Sequence, residues 1–332
     1  MRPHRFCCAV IGAGLALLGW QPPESWAWGP EGHRIIALIA DQALQTQAPA
    51  VHSKIAEILA TDKSNEWTKT DIASEATWAD ALREKSPEGR VASTKWHYVK
   101  LDPDNPDLSK ACFGRPALPP LRPASHGPSD NCVVDKIAQF TKELREPDTL
   151  ASERLMALQF LLNLVGDIHD PLYVIDHDDQ NGQCVAVLPP GGKAPVRLNT
   201  YWDDTLVAEA AGRDPVKAAH QLTAGLAPGE LEKWSGGAPE EWAQQSYGVA
   251  KSVVYEFPAQ PGPLPAPRPH AGEGRVGAPT PKGAPRTAAD SCGPIALYRL
   301  DTAYRNRAIA AVKEQLSKAG IRLAFLLREN LR

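Results

Sequence analysis

The sequence predicts an all-α fold, a single mainly helical domain, on three observations. Apolar residues recur at helical spacing in seven separate stretches. Strand signals are thin and confined to Trp96–Val99 and Cys184–Leu188, short segments expected to pair with each other briefly. The one sharp change of composition, residues 258–290, carries nine prolines, several glycines and almost no large apolar side chains. That stretch is expected to be a disordered insertion. The helices on both sides of it read as parts of one bundle, so it does not divide two domains.

Taken in order, residues 1–27 have the form of a signal peptide. Arg2 and Arg5 make a charged start, residues 7–19 a short apolar core, and Ser25-Trp26-Ala27 a small-x-small cleavage site. The core is shorter than the ~20 residues a membrane span requires. The expected product is a periplasmic or extracellular monomer, residues 28–332, with no membrane partner after cleavage. Its first helix is expected at 31–46, with Ile35, Ile36, Leu38, Ile39 and Ala43 on the apolar face. Segments 51–60, 71–85 and 133–145 follow the same pattern. Residues 152–168 are nearly all apolar, the mark of a helix buried on every side. Segments 239–255 and 294–329 complete the set.

The chain has 36 basic and 39 acidic residues, a formal charge of −3. Neither bulk charge nor a basic stripe supports nucleic-acid binding, so bound cations or a local patch would have to supply the attraction. Cys7 and Cys8 fall in the leader, leaving Cys112, Cys132, Cys184 and Cys292. An even number in an exported chain implies two disulfides, with three pairings open. Cys112–Cys132, closing a Pro-rich loop, and Cys184–Cys292 are favoured. No pair has CxxC spacing, which argues against a thiolate zinc site.

The chemistry begins at Trp28-Gly-Pro-Glu-Gly-His33, immediately after the cleavage site. Cleavage after Ala27 would give Trp28 a free amine that, with its carbonyl, can chelate a metal near His33. Further candidate ligands are Asp80, His97, Asp167 and Asp203. Asn163 precedes Asp167 by four residues, and Asn199 precedes Asp203 by four, so each pair would share a helix face. A histidine at the first position of either pair would make a ready zinc pair; here both positions are Asn.

The chain resembles the S1/P1 nuclease family, zinc-dependent single-strand nucleases that share a helical fold with bacterial phospholipase C. The matching blocks are Trp28–His33, Trp78-Ala-Asp80, Trp96-His-Tyr-Val99, Gly166-Asp-Ile-His169 with Pro171-Leu172, and Trp202-Asp203. Glu241-Trp-Ala-Gln-Gln-Ser246 and Ala319-Gly-Ile-Arg-Leu-Ala324 extend them toward the C-terminus. They stand in family order and cover nearly the whole mature chain.

The resemblance implies three zinc ions, with Trp28 and His33 at one, Asp80 and His97 at a second, and Asp167 bridging the two. It also implies histidines where this chain has Asn163, Tyr173 and Asn199, so that Asp203 alone remains at the third. Asn is a weak zinc ligand, and Tyr binds metal only as phenolate, against a pKa near 10. One or two Zn2+ are therefore expected. In the implied mechanism Asp80 orients or deprotonates a zinc-bound water, Arg83 neutralises phosphate charge, and Tyr98 stacks on a base. The substrate would be single-stranded DNA or RNA, or nucleotides, and the products 5′-phosphorylated. A catalytically inactive protein holding one or two structural zinc ions is the alternative. A phospholipase C-like esterase is a weaker third.

Overall fold

The computed structural model describes residues 27–259, 292 and 295–331. The expected signal peptide and nearly all of the Pro-rich insertion lie outside them. The order of elements begins with helices α1 (Gly29–Gln47), α2 (Pro49–Leu59), α3 (Ile72–Glu75), α4 (Trp78–Lys85) and α5 (Pro87–Ser93). After a 3₁₀ turn at Thr94–His97 come α6 (Leu108–Ala111), α7 (Val133–Arg145) and α8 (Ala151–Asp167). A further 3₁₀ turn, Pro171–Tyr173, leads to the strands β1 (Val185–Leu188) and β2 (Val196–Arg197). Then follow α9 (Leu198–Thr200), a wide π-helical turn at Tyr201–Leu206, α10 (Val207–Ala211), α11 (Pro215–Ala224), α12 (Pro228–Trp234) and α13 (Pro239–Val249). Strand β3 (Ala296–Arg299) and the long α14 (Thr302–Asn330) end the chain.

The fold is mainly helical and forms one core, as expected. Helix α8 is its axis: every residue from Ala157 to Asp167 is buried. Phe160 stacks on Phe140 of α7 at 4.6 Å, and Trp96 meets both edge-on, at 5.4 and 6.1 Å. Aromatic pairs in such geometry add about 0.5–1.5 kcal/mol each to the burial of their area. Helix α1 runs against α14. Their contact is close because Gly320 has no side chain: a Cβ there would lie 2.4 Å from Ile39 Cγ2.

Several expectations need correction. The segment 71–85 is two helices, because Asp71 caps a short turn by accepting from Ser74 N at 2.9 Å and the chain restarts at Trp78. The segment 294–329 opens as a strand. Its helix starts after Asp301, whose side chain accepts from Tyr304 N at 2.7 Å. Segment 239–255 ends in a π-helical turn, Ala250–Val254. The two strand candidates do not pair with each other. Val185–Leu188 forms the centre of a three-stranded sheet, antiparallel to Val196–Arg197 and parallel to Ala296–Arg299. The Trp96–Val99 segment instead runs beside Tyr173: Val99 N donates to Tyr173 O at 3.0 Å, and Leu101 bridges Ile175.

Both favoured disulfides are present, Cys112–Cys132 and Cys184–Cys292. Among the described residues no helix is long and apolar enough to cross a membrane.

Candidate functional site

Four helical segments bring their chemistry to one buried place. His33 projects from the second turn of α1, Asp80 from the first turn of α4, His97 from the end of the Thr94–His97 turn, and Asn163 with Asp167 from the last turns of α8. Helices α1 and α8 come close because of Gly166, where a Cβ would lie 2.8 Å from His33 Nδ1. All five side chains are at most 1% exposed.

His33 Nε2 lies 3.3 Å from Asp167 Oδ1 and 3.5 Å from Asp80 Oδ2. His97 Nδ1 lies 2.7 Å from Asp167 Oδ2 and 3.8 Å from Asp80 Oδ1. Asn163 Nδ2 donates to Asp80 Oδ2 at 2.8 Å and to the Ala76 carbonyl at 3.0 Å. Arg83 donates to Asp80 Oδ1 at 3.0 Å. Arg83 is itself buried, not the surface cation its position on a short helix would suggest.

The charges in this cluster hold one another. Burial pushes the Asp167 carboxyl up, but His33 and His97 outweigh it and keep it below the usual carboxylate range. Burial pulls the His33 imidazole down; contact with Asp167, and the charges of Asp167, Asp80 and Asp170, leave it above its ordinary value.

A second group adjoins the first through the end of α8. The Trp28 backbone N–H donates to Asp170 Oδ2 at 3.1 Å, and the Trp28 indole donates to the Gly166 carbonyl at 3.0 Å. Burial pushes the Asp170 carboxyl up to about 7, while the N–H groups of Leu172 and Trp28 and its contact with Asp203 pull the other way. The Trp28 nitrogen here is the amide that follows a buried Ala27, and the Trp28 carbonyl accepts from Gly32 N at 3.1 Å. Tyr173 and Asn199 are buried on neighbouring turns.

His33 Nε2 faces oxygens of both Asp80 and Asp167, as a metal ligand would, but the three side chains do not bring one ligand atom each within 4.8 Å of one another. Two ligands of one tetrahedral zinc stand about 3.3 Å apart, given Zn–N and Zn–O bonds of about 2.0–2.1 Å. Both separations from His33 Nε2 match that spacing. The buried atoms His33 Nδ1, His97 Nε2, Asn163 Oδ1 and Asp167 Oδ1 have no hydrogen-bond partner among the described residues. His97 Nδ1 and Asp167 Oδ2, in contrast, are bonded directly. The donor chemistry of Tyr173, Asn199 and Asp203, with no imidazole, does not fit zinc. Cys112, Cys132 and Asp135 do offer ligand atoms within 4.8 Å of one another. They are not a metal site: both sulfurs are used in the disulfide, and Asp135 accepts from Arg115 at 2.8 Å.

Tyr98 is half-buried, with Lys100 Nζ 5.5 Å from its ring. Two cavities open among the described residues. One of about 600 Å³ is lined by Lys100, Asp102, Lys110, Asp176 and His177, and one of about 410 Å³ by Trp67, Trp78, Trp96 and Phe160. Neither is lined by His33, Asp80, His97 or Asp167.

Asp170 caps the Pro171–Tyr173 turn, accepting from Leu172 N at 2.9 Å, and it is fully buried and holds the Trp28 amide. The Asp170-Pro171 dipeptide was the available signal, since Asp before Pro favours a turn whose first N–H the carboxylate can accept. His169 and His177 are not spare ligands. Both ring nitrogens of His169 are engaged, with Val165 O and Arg322, and His177 stacks on Tyr255 at 3.9 Å.

The chain is similar to several known nucleases and endonucleases. Endonuclease 2 of Arabidopsis thaliana is 27% identical over 232 residues, covering 68% of this chain and 69% of that protein. Nuclease S1 of Aspergillus oryzae is 28% identical over 191 residues, 57% of each chain. Nuclease P1 of Penicillium citrinum is 25% identical over 177 residues, 53% of this chain and 54% of that one. The chain thus spans little more than half the length of the two fungal relatives. The model of the family described as S1/P1 Nuclease matches residues 28–332, starting at the tryptophan whose amide Asp170 holds, and the chain belongs to that family.

Proposed function

We propose that this chain is an exported, zinc-dependent phosphodiesterase that hydrolyses single-stranded DNA or RNA to 5′-phosphorylated products, working with one or two metal ions. The observation that carries the reading is the buried convergence of His33, Asp80, His97 and Asp167, with His33 Nδ1, His97 Nε2 and Asp167 Oδ1 left without a hydrogen-bond partner. Relatives named as nucleases and endonucleases support ester hydrolysis of a nucleic acid. After cleavage at Ala27, the Trp28 amine, His33 and Asp167 would hold one zinc; Asp80, His97 and Asp167 would hold the second; Asp203 remains from the third. Bound there, zinc supplies a water acidified toward neutral pH and positive charge for the phosphate.

The chain's own residues do the rest. Asp80 takes the proton of the attacking water. Arg83, fixed by its bond to Asp80 Oδ1, keeps that carboxylate oriented and offsets charge on the phosphate. Tyr98 offers a half-exposed ring on which a base stacks, a contact worth about 1–3 kcal/mol.

One observation favours a non-catalytic reading. Asp80 already accepts hydrogen bonds on both oxygens, from Arg83 and from Asn163. Both oxygens are thus engaged with protein donors before any water arrives. The test is to incubate the mature protein, starting at Trp28, with zinc and a single-stranded oligonucleotide, beside Asp80→Asn. Cleavage leaving 5′-phosphates, lost in the variant, supports the enzyme. Bound zinc without cleavage makes this a binding protein on a nuclease fold. Neither zinc nor cleavage sinks both readings.

A further inference from the structure

Two of the matching sequence blocks, Glu241–Ser246 and Ala319–Ala324, hold no residue of the candidate site. They meet at His169, on the turn that ends α8. Arg322 on α14 donates to His169 Nε2 at 2.9 Å and to Gln245 Oε1 of α13 at 2.7 Å. Gln315, seven residues earlier on α14, donates to the His169 carbonyl at 2.7 Å and to Ser246 Oγ at 3.0 Å. The third point is internal to α8: His169 Nδ1 lies 2.7 Å from the Val165 carbonyl. A carbonyl only accepts, so the proton is on Nδ1 and the Nε2 lone pair faces Arg322. Trp242 covers this network, its ring 5.6 Å from the His169 ring and 5.5 Å from the Arg322 guanidinium.

His169 is therefore fixed at its ring and at its carbonyl. It sits between Asp167, which faces His33 and His97, and Asp170, which holds the Trp28 amide. The bonds within the turn are local: His169 N to Gly166 O at 2.9 Å, Asp170 N to Asp167 O at 3.0 Å and Leu172 N to Asp170 Oδ1 at 2.9 Å. Such a turn can rotate both carboxylates together unless something outside the helix pins it. Arg322 is an expensive way to fill space. It is 4% exposed, its two hydrogen-bond acceptors are neutral, and its Nε has no partner among the described residues. An apolar side chain would pack there at lower cost. What an apolar side chain cannot do is reach His169 and Gln245 at once with a rigid fork.

We propose that Arg322 is a positioning residue: acting through His169, it fixes the Asp167–Asp170 turn so that both carboxylates point into the metal-binding cluster. This rests on the metal-binding reading above, and the experiment separates the two. Arg322→Met, Arg322→Lys and a control, Arg154→Met, are compared with the parent, all starting at Trp28. Arg154 binds the carbonyls of Leu144 and Glu146 near the opposite end of α8, about 20 Å from Asp167 at 1.5 Å per residue.

Hydrogen exchange across residues 163–173 is measured without metal, and zinc affinity by competition with a chelator. Arg322→Met is expected to speed exchange in that segment and weaken zinc binding about tenfold or more, the usual scale for groups that orient ligands. Arg322→Lys keeps the charge, lacks the fork and is expected to be impaired as well. Arg154→Met leaves both readouts at the parent's values. Unchanged exchange and affinity in Arg322→Met, or an equal loss in Arg154→Met, overturns the proposal. If the parent itself binds no zinc, the metal reading fails, while the exchange comparison still decides whether Arg322 holds the turn.

Discussion

Asn163 Nδ2 bonds both the Asp80 carboxylate, at 2.8 Å, and the Ala76 carbonyl, at 3.0 Å, so one amide ties α8 to the break between α3 and α4. This explains how the residue does structural work where the family resemblance implies a metal ligand. Replacing it with Ala leaves two buried acceptors short of a donor. Asn163→Ala is expected to lower stability by about 1–3 kcal/mol, read as a lower urea midpoint. A midpoint equal to the parent's would mean that Arg83 alone holds Asp80.

The approach of α1 to α8 depends on a missing side chain. A Cβ at Gly166 would lie 2.8 Å from His33 Nδ1, 3.0 Å from His33 Cε1 and 3.2 Å from Ile36 Cδ1. Gly166→Ala must push the two helices apart or turn the His33 ring. A loss of about 1–3 kcal/mol is expected from the overpacking, together with reduced zinc content, since His33 would leave its place between Asp80 and Asp167. Thermal unfolding and elemental analysis of the same preparation check both. A variant as stable and as zinc-rich as the parent would show that the contact relaxes freely.

How much of this was legible in the sequence follows from which forces are local. Helices α1, α7 and α8 could be read because each carries a long run of apolar residues at one period. The break at Ala76–Thr77 and the late start of α14 could not, because both are set by single caps, Asp71 and Asp301, inside patterns that remain helical. Strand β3 follows the insertion and has a mate 111 residues earlier in the register Val185 with Ala296, a pairing no local pattern encodes. At the site, spacing on α8 placed Asn163 with Asp167. It gave no hint that Asn163 would donate to Asp80, 83 residues away, or that Asp170 would be buried against Trp28. Those partners depend on tertiary packing.

The three positions without histidine differ in what restoring it would cost. Asn163 and Asn199 are buried and smaller than His, so the added ring must be accommodated by overpacking, whereas Tyr173 is 1% exposed and larger, and its replacement leaves a gap in the core. The variant Asn163→His, Tyr173→His, Asn199→His is expected to bind more zinc per chain and cleave single-stranded DNA faster, with a lower melting temperature. Zinc content and initial rate are measured on mature protein purified with zinc present. Extra zinc without extra rate would place the limitation outside the metal cluster, with Asp80 or the substrate path.

Lys136 offers a test of the core independent of the metal. It is fully buried, donates to the carbonyls of Ala124 and Gly127 at 2.7 and 2.9 Å, and lies 3.9 Å over the Trp96 ring. Burial pulls its pKa from the ordinary 10.5 down to about 7, against the charges of Glu143 and Asp135. Unfolding restores the ordinary value. Between these two pKa values the unfolded chain therefore binds more protons than the folded one, and this lysine makes stability rise with pH. Below the folded value both states keep the proton and its contribution is flat. Lys136→Met removes this part of the slope while leaving two carbonyls short of a donor. Urea midpoints of parent and variant, compared at about pH 7 and about pH 10, are expected to diverge further at the higher pH, where the neutral lysine carries no charge penalty and still donates to both carbonyls. A constant difference between the two proteins would mean that Lys136 keeps its proton throughout, held by the carbonyls and the Trp96 face.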